Sequence, residues 1–254
     1  MSEPANNLPE ADVIVDSAPS TGRFNMAMDA ALLELGEERE RSVVRIYQWS
    51  EPTVTLGYFQ NGATTDESPF PHLPCVRRLT GGGAILHDRE LTYSCVVPAL
   101  HRLRQNPSEL YEIVHRAIID VLNRCGVSSC LRQEYSAPPD TTASRSALMT
   151  PSLVEPFLCF LRSNSNDIVH SSGSKIVGSA QRRRRGVTLQ HGSILLATSS
   201  LTPALPGLCE LSPNFEQARF QTALPAAIAD SLSERWKFRD YSAQELELAN
   251  SWSA

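Results

Sequence analysis

The chain has 254 residues, of which 41% are hydrophobic and 20% are charged, a composition that excludes a collagen-like, fibrous or wholly disordered protein. A net charge of -5 argues against a dedicated nucleic-acid binder, because phosphate neutralisation needs a surplus of basic residues. The N-terminus lacks the basic start and apolar run of an export signal, and no apolar run reaches the roughly 20 residues of a spanning helix. We therefore expect a cytoplasmic protein without nucleic acid or membrane partners.

The first part of the chain predicts one helix and two strands. Residues 1–12 are expected to form a loose tail ahead of a single domain over residues 13–254. In FNMAMDAALLEL (24–35) apolar residues recur every three or four positions, which places them on one helical face, and Gly36 follows as a terminator. VVRIYQW and TVTLGYF are rich in β-branched and aromatic residues, and the SEP segment at 50–52 between them predicts a hairpin.

The middle of the chain predicts four more strands and a second helix. AILH, LTYSCVV, SKIVGSA and GVTLQHGSILLA have the composition of strands. Asn106 is a suitable cap for a helix whose first residue is Pro107 and whose apolar stripe continues up to Gly126. The segment 136–156 is rich in Pro, Ser and Thr and is predicted to be a long loop.

The C-terminal part is predicted to be helical after a second loop over residues 202–214. PAAIADSLSERW spaces Ile228, Leu232 and Trp236 four residues apart, as on one helical face. SAQE at 242–245 has the capping-box pattern that begins a last helix.

Six cysteines are present, and a cytoplasmic location implies that they are mostly reduced. No C-x-x-C pair occurs, and Cys125 and Cys130 lack the matching His or Cys residues of a zinc site. We therefore expect no metal. Cys75, Cys95, Cys125 and Cys130 lie in strand or helix patterns and are interpreted as packing residues.

The stretch RRLTGGGAILHDRELTYS, Arg77 to Ser94, places a basic pair and three glycines ahead of a strand. Glycine lacks a Cβ, so this turn can adopt positive φ and can expose backbone N–H groups to a ligand. It is neither a Walker loop nor the G-x-G-x-x-G of dinucleotide binders. The residues alone leave two interpretations open, a ligand-binding turn and a plain hairpin turn.

The stretch GSKIVGSAQRRRRGVTLQHGSILL, Gly173 to Leu196, places Lys175 at a strand start, followed by small residues that leave room for a substrate. The alternative for Lys175 is a solvated lysine at a strand end, which would carry little packing energy. The arginine run 182–185 is interpreted either as a solvated turn or as a docking site for an acidic carrier domain.

These two stretches, together with NMAMDAALLE and LGYFQ, resemble the superfamily of lipoate-protein ligases, octanoyltransferases and biotin ligases. The resemblance covers residues from about Asn25 to Leu196. It implies an α+β fold with a mixed, largely antiparallel sheet and flanking helices. It also implies an acyl site at Lys175 that is lined by Arg77, Arg78, Thr80, Gly81, Gly82, Gly83, His87, Gly178, Ser179, Ala180, His191 and Gly192.

A cysteine distinguishes the branches, because octanoyltransferases pass a thioester-borne acyl group through a thiol, whereas ligases activate the acid with ATP. Cys159, followed by Phe160, is placed ahead of Lys175 much as in the cysteine-dependent octanoyltransferases of the ligase-like branch. We predict that Cys159 is the nucleophile and that Lys175 stabilises charge on the acyl carbonyl. A buried, inert Cys159 is the alternative, and Cys209 is a second candidate nucleophile.

The resemblance thus implies a protein N-octanoyltransferase that needs no cofactor. Its expected partners are octanoyl-acyl carrier protein as donor and a lysine of a lipoyl domain or of the glycine-cleavage H protein as acceptor. The length of the chain favours this interpretation, since many ATP-dependent lipoate ligases carry an extra C-terminal domain. The alternatives are a lipoate-protein ligase that uses ATP and Mg, and a non-catalytic paralogue that only binds acyl carriers.

Overall fold

A computed structural model describes residues 10–60, 69–137 and 157–253. Most of the predicted tail and most of the predicted loop 136–156 lie outside these ranges. The described residues form an eight-stranded sheet with helices on both faces and a separate three-stranded sheet. The large sheet has the order β11-β1-β2-β6-β10-β9-β8-β7, and the small sheet has the order β4-β3-β5.

The strands are short except for three in the centre of the large sheet. Their bounds are β1 Ala11–Val15, β2 Ser42–Tyr47, β3 Thr53–Leu56, β4 Cys75–Arg77, β5 Ile85–His87, β6 Glu90–Val97, β7 Ser129–Leu131, β8 Ile168–His170, β9 Lys175–Arg184, β10 Val187–Leu195 and β11 Trp236–Phe238. In the large sheet β1 pairs in parallel with β2 and β11, and the other neighbours pair antiparallel. The predicted mixed, largely antiparallel sheet is confirmed.

Five α-helices are described: α1 Gly22–Leu35, α2 Pro107–Arg124, α3 Leu208–Leu211, α4 Gln217–Leu232 and α5 Ala243–Ser253. Alternate strand residues face opposite sides of the sheet, so each side has its own core. Val44 and Tyr93 face the core under α2 and α4, whereas Val43 and Val96 face the core under α1 and α5. No helix within the described ranges is both long enough and apolar enough to cross a membrane.

The two helices with clear sequence boundaries form where predicted. The cap after α1 is Gly36, whose N–H donates to Leu32 O. The helix α2 begins at Pro107, and the N–H of Glu109 donates to the side chain of Asn106. Local capping chemistry was sufficient to predict these ends.

The predicted hairpin between VVRIYQW and TVTLGYF is wrong, because β2 and β3 belong to different sheets. Both edges of β2 are already paired, one with β1 and one with β6. The strand β3 therefore leaves the large sheet and pairs with β4 and β5. This exchange of partners creates the small sheet that covers the candidate site.

Three smaller predictions also need correction. Ala11 and Asp12, assigned to the loose tail, begin β1 and pair with both β2 and β11. Trp236, which was predicted to lie on a helical face, lies in β11, because α4 ends at Leu232. The buried residues of α4 that are four positions apart extend from Leu232 back to Phe220. The predicted loop 202–214 contains the short helix α3.

The last helix is attached to the domain through Glu245, whose side chain is fully buried. The N–H of Ser242 donates to Glu245 Oε2 (2.8 Å), and the N–H of Glu245 donates to Ser242 Oγ (3.2 Å), which confirms the predicted capping box. Both Arg239 and Arg39 also donate to the Glu245 carboxylate. Burial raises the pKa of Glu245, but these hydrogen bonds outweigh burial and set the pKa at about 2.

The low pKa of Glu245 predicts acid-sensitive docking of α5. Because the folded-state pKa lies below the unfolded value of 4.5, the stabilisation is present above pH 4.5 and is lost as the pH falls toward 2. Its size is about 3 kcal/mol. Urea unfolding at pH 6 and at pH 3 should show about 2 kcal/mol of this loss, and Glu245→Gln should flatten that part of the profile. Equal slopes in the two proteins would contradict the prediction.

Candidate active site

A cavity lies between the large sheet and the small sheet. The strand registers place six residues on one face of the large sheet as the floor of the cavity: Tyr47, Thr92, Gly178, Ala180, His191 and Ser193. The remaining wall residues are Met26, Arg78, Gly82, Ile85, His87, Cys159, Phe160, Ser179 and Gly192.

The glycine turn that follows β4 forms part of the wall and is held by Arg78. Arg78 is buried, and all five of its N–H groups are used within the protein. Nη2 donates to the carbonyls of Gly81 (2.8 Å) and Gly83 (2.7 Å), Nη1 donates to Thr55 O and Oγ1 (3.1 Å each), and Nε donates to Thr80 Oγ1 (3.2 Å). Arg78 therefore shapes the turn and offers no N–H to a ligand.

Two glycines are needed where this turn approaches its neighbours. Gly82 has φ 94°, a conformation that side-chain-bearing residues rarely adopt. A Cβ on Gly57 would lie 2.0 Å from the carbonyl oxygen of Gly82. The LGYFQ segment and the TGGG segment thus touch backbone to backbone.

Arg77 does not line the cavity. Its Nη1 donates to the carbonyls of Gly57 (3.0 Å) and Gln60 (2.9 Å), so it holds the neighbouring loop. The two adjacent arginines therefore have different places: Arg78 lies inside the glycine turn, and Arg77 holds the loop behind it.

Cys159 begins a 3₁₀ turn, Cys159–Leu161, that is docked on the residue after the glycine turn. Its N–H donates to Ala84 O (2.7 Å), and the N–H of Ala84 donates to Phe157 O (3.0 Å). Its Sγ lies 3.8 Å from the position that a Cβ on Gly82 would occupy. The thiol is thus at the glycine turn and in the cavity wall, as expected for a nucleophile.

Arg78 is the cation beside this thiol. Burial lowers the pKa of Arg78 to about 10, while the negative charge of an ionised Cys159 raises it. Arg78 therefore remains charged at neutral pH and places a positive charge beside the Cys159 thiol.

Lys175 lies beside the cavity and is not part of its wall. Its side chain is only 7% exposed, and its Nζ lies 3.0 Å from Asp167 Oδ2. Nζ also donates to the carbonyls of Cys159 and Arg162 (3.3 Å each). The alternative of a solvated lysine at a strand end is wrong, because Lys175 is buried and holds both ends of the Cys159 turn. Gly178 makes room for it, since a Cβ there would lie 2.8 Å from Lys175 Cε.

Two histidines predicted from the sequence meet threonines of the small sheet and its turn. His191 Nε2 lies 2.6 Å from Thr80 Oγ1, and His87 Nε2 lies 2.8 Å from Thr55 Oγ1. Both imidazoles are buried. Burial lowers the pKa of His87, although Glu90 opposes this effect.

Ser179 contributes to the cavity from the opposite face of its strand. Its Oγ bonds Tyr93 Oη and His115 Nε2 (2.7 Å each), under α2. Burial lowers the pKa of His115 to about 4, so this histidine is neutral. A Cβ on Gly192 would lie 2.2 Å from Ser179 Oγ, so Gly192 keeps space for this buried contact.

The other cysteines lie elsewhere. Cys209, in α3, does not line the cavity, and burial raises the pKa of its thiol. Cys95 and Cys125 are buried, as expected for packing residues, but Cys75 is exposed on β4. Its interpretation as a packing residue is wrong, because β4 is an edge strand of the small sheet.

The arginine run is partly neutralised by glutamates at the end of α1 and in the turn that follows it. Arg184 pairs with Glu34 (3.2 Å) and Glu37 (3.0 Å), and Arg185 pairs with Glu37 (2.9 Å). Arg182 lies over the ring of Tyr58, at 4.5 Å from its centroid. Docking of an acidic carrier on this run stays a prediction.

Several site residues were missed by sequence reasoning. The wall residues among them are Met26, Tyr47, Ile85, Thr92, Phe160 and Ser193. Asp29, which accepts a hydrogen bond from His191, was missed too, although an acid within the apolar helix stretch AMDAALL was a usable signal. The floor residues had no comparable signal, since strand register brings them together.

Comparison with known proteins identifies the family. Residues 21–230 match the model of the lipoyl protein ligase A/B catalytic domain. The chain belongs to this family. The superfamily predicted from the motifs is confirmed.

Curated relatives of this lipoyl protein ligase A/B catalytic domain are octanoyltransferases. It is 37% identical over 187 residues to octanoyltransferase LipM of Bacillus subtilis and 38% identical over 187 residues to octanoyltransferase LipM of Geobacillus kaustophilus. Each match covers 72% of this chain and 64% of the relative. The chain thus spans less than two thirds of the length of these relatives.

Solved structures support the fold. A putative lipoate protein ligase from Thermoplasma acidophilum with bound lipoic acid superposes with a TM-score of 0.71 at 19% identity, covering 96% of this chain and 97% of the other. Lipoate-protein ligase A bound with ATP gives a TM-score of 0.68 at 19% identity, covering 96% and 94%. At this identity the likeness shows the fold of the family.

Proposed function

We propose that this protein transfers an octanoyl group from an acyl carrier protein to a lysine of a lipoyl domain or of the glycine-cleavage H protein, through a thioester on Cys159. The observation that carries the proposal is the thiol of Cys159 in the cavity wall, next to Gly82 and Arg78. The names of the curated relatives support octanoyl as the acyl group.

In the first step, the Cys159 thiolate attacks the carbonyl carbon of the octanoyl thioester. A new C–S bond forms, the bond to the carrier sulfur breaks, and the carrier leaves as a thiolate that takes up a proton. Negative charge develops on the carbonyl oxygen. The N–H of Gly82, in the cavity wall, donates to no backbone carbonyl within the described residues, so we assign it to this oxygen, where such a donor contributes roughly 3 kcal/mol.

In the second step, the neutral amine of the acceptor lysine attacks the thioester carbon of the acyl-enzyme. The amide C–N bond forms, the bond to Cys159 Sγ breaks, and the amine loses its extra proton to solvent. The thiolate of Cys159 is regenerated beside Arg78. Neither step consumes ATP, because the thioester bond already activates the acyl group.

In this mechanism Lys175 positions the turn that carries Cys159. Three acceptors surround its ammonium group: the carboxylate of Asp167 and the carbonyls of Cys159 and Arg162. An ammonium group has three N–H donors, so these contacts account for all of them. Direct stabilisation of the acyl carbonyl by Lys175 stays a prediction, since it requires Lys175 to exchange one of these partners for substrate.

The decisive experiment is transfer without ATP. Octanoyl-acyl carrier protein and an unmodified lipoyl domain are incubated with the enzyme, and the lipoyl domain is weighed as an intact protein. We expect one added octanoyl group that depends on the enzyme. Modification that occurs only with ATP, Mg and free octanoate or lipoate would contradict the proposal and establish a ligase. Donor binding without any transfer would establish a non-catalytic binder.

A further inference from the structure

Two series of hydrogen bonds begin at Arg78, and both contain the same residue types in the same order. In the first, Arg78 Nε contacts Thr80 Oγ1 (3.2 Å), Thr80 Oγ1 contacts His191 Nε2 (2.6 Å), and His191 Nδ1 contacts Asp29 Oδ2 (3.0 Å). All four side chains are buried. The chain joins the glycine turn to β10 and α1.

The second chain approaches Arg78 from the small sheet. Arg78 Nη1 contacts Thr55 Oγ1 (3.1 Å), Thr55 Oγ1 contacts His87 Nε2 (2.8 Å), and His87 Nδ1 contacts Glu90 Oε1 (2.9 Å). The order is again arginine, threonine, histidine, carboxylate. We call these two chains the Asp29 relay and the Glu90 relay.

The two ends of each relay limit the direction of its bonds. A guanidinium only donates, so each threonine oxygen accepts from Arg78, and a carboxylate only accepts, so each histidine donates an Nδ1 proton to Asp29 or to Glu90. With one proton on each ring, Nε2 is unprotonated and accepts the hydroxyl proton of the threonine. The two rings then have the same tautomer.

We propose that His87 and His191 are positioning residues that hold Arg78, and through it the glycine turn, and that neither transfers a proton during catalysis. Both ring nitrogens of each histidine are occupied by protein partners, so neither ring has a nitrogen for the Cys159 thiol or for an incoming amine. Asp29 and Glu90 act one step further away, by fixing the tautomer. This proposal rests on the proposed function, because Arg78 would serve the octanoyl transfer described above.

The consequence for the site is that the Arg78 guanidinium is held in one position. Arg78 has two N–H groups on the Gly81 and Gly83 carbonyls, and its other three are fixed on Thr55 and Thr80. With both relays intact, the guanidinium cannot rotate away from the Cys159 side of the turn. The site therefore keeps a fixed positive charge at the glycine turn, next to Cys159.

Threonine variants test the relays. Thr55→Val and Thr80→Val keep shape but lose the hydroxyl, and each should lower the rate of Cys159 acylation at saturating donor by about 10- to 100-fold, with little change in KM. Thr55→Ser and Thr80→Ser should restore the rate. The matched control is Thr53→Val, because Thr53 is equally buried on β3 but its hydroxyl bonds Glu51 O. Equal losses in Thr53→Val and Thr55→Val would overturn the proposal.

Coupling to Arg78 separates positioning from general stability. In an Arg78→Lys background, Thr80→Val should cause no further loss of rate, because the relay then has no guanidinium to hold. A further loss as large as that in the wild type would mean that Thr80 acts by another route, and would overturn the proposal.

A second measurement is independent of turnover. The ¹⁵N shifts of His87 and His191 in the folded wild-type protein at neutral pH should show protonated Nδ1 and unprotonated Nε2. A protonated Nε2 on either ring would overturn the proposal. If the tautomers are as expected and no octanoyl group is transferred, the relays are supported and only the proposed function fails.

Discussion

Replacement of Cys159 by serine is expected to abolish formation of the acyl-enzyme and to lower octanoyl transfer by a factor on the order of 10⁴ or more. A serine hydroxyl has a far higher pKa than a thiol and needs a base to become a nucleophile. Among the described wall residues, the two histidines have no ring nitrogen for this task, because those of His87 and His191 are occupied by threonines and carboxylates.

Intact-mass measurement after exposure to octanoyl-acyl carrier protein checks this result. The wild type should gain one octanoyl group that neutral hydroxylamine removes, as expected for a thioester, and Cys159→Ser should gain none. Cys209→Ser is the matched control, since Cys209 is more exposed than Cys159 and does not line the cavity. Acylation of Cys159→Ser together with its loss in Cys209→Ser would assign the nucleophile to Cys209.

Replacement of Lys175 by methionine is expected to abolish transfer and, in addition, to destabilise the fold by about 3–5 kcal/mol. The variant leaves the Asp167 carboxylate buried without its cation and removes the Nζ donor from the carbonyls of Cys159 and Arg162. Burial already raises the pKa of Asp167 even though Lys175 opposes it. Urea unfolding and the rate of Cys159 acylation are the two measurements.

A double variant separates the two effects of Lys175. Lys175→Met with Asp167→Asn removes the unpaired charge, so it should recover a large part of the lost stability. Transfer should stay low, because the Cys159 turn still lacks the ammonium group that joins its two ends. Recovery of both stability and transfer would show that Lys175 serves only to neutralise Asp167.

The helices were predictable because their signals are local. A cap, a proline at the first position and a three-to-four spacing lie within a few residues of one another, as in Asn106, Pro107 and the stripe that follows. The glycine turn was predictable for a similar reason, since a positive φ at Gly82 is a property of the residue type. The family was predictable as well, because several separate motifs occur in this sequence in the order that is typical of the family.

The partners of the site side chains were decided by the tertiary structure. His191 lies 111 residues from Thr80 and 162 residues from Asp29 in sequence, and the packing of β10 against α1 and the glycine turn brings them together. The hairpin prediction failed for the same reason, since the edges of β2 were taken by strands distant in the chain.

The sequence by itself determined the helix ends, the glycine turn, the family and the presence of Cys159 ahead of Lys175. Only the tertiary structure decided that Lys175 is buried against Asp167, that Arg77 lies outside the cavity, and that His87 and His191 face threonines. The physical reason is range: capping and turn conformation depend on neighbours along the chain, whereas burial and hydrogen-bond partners depend on which strands pair.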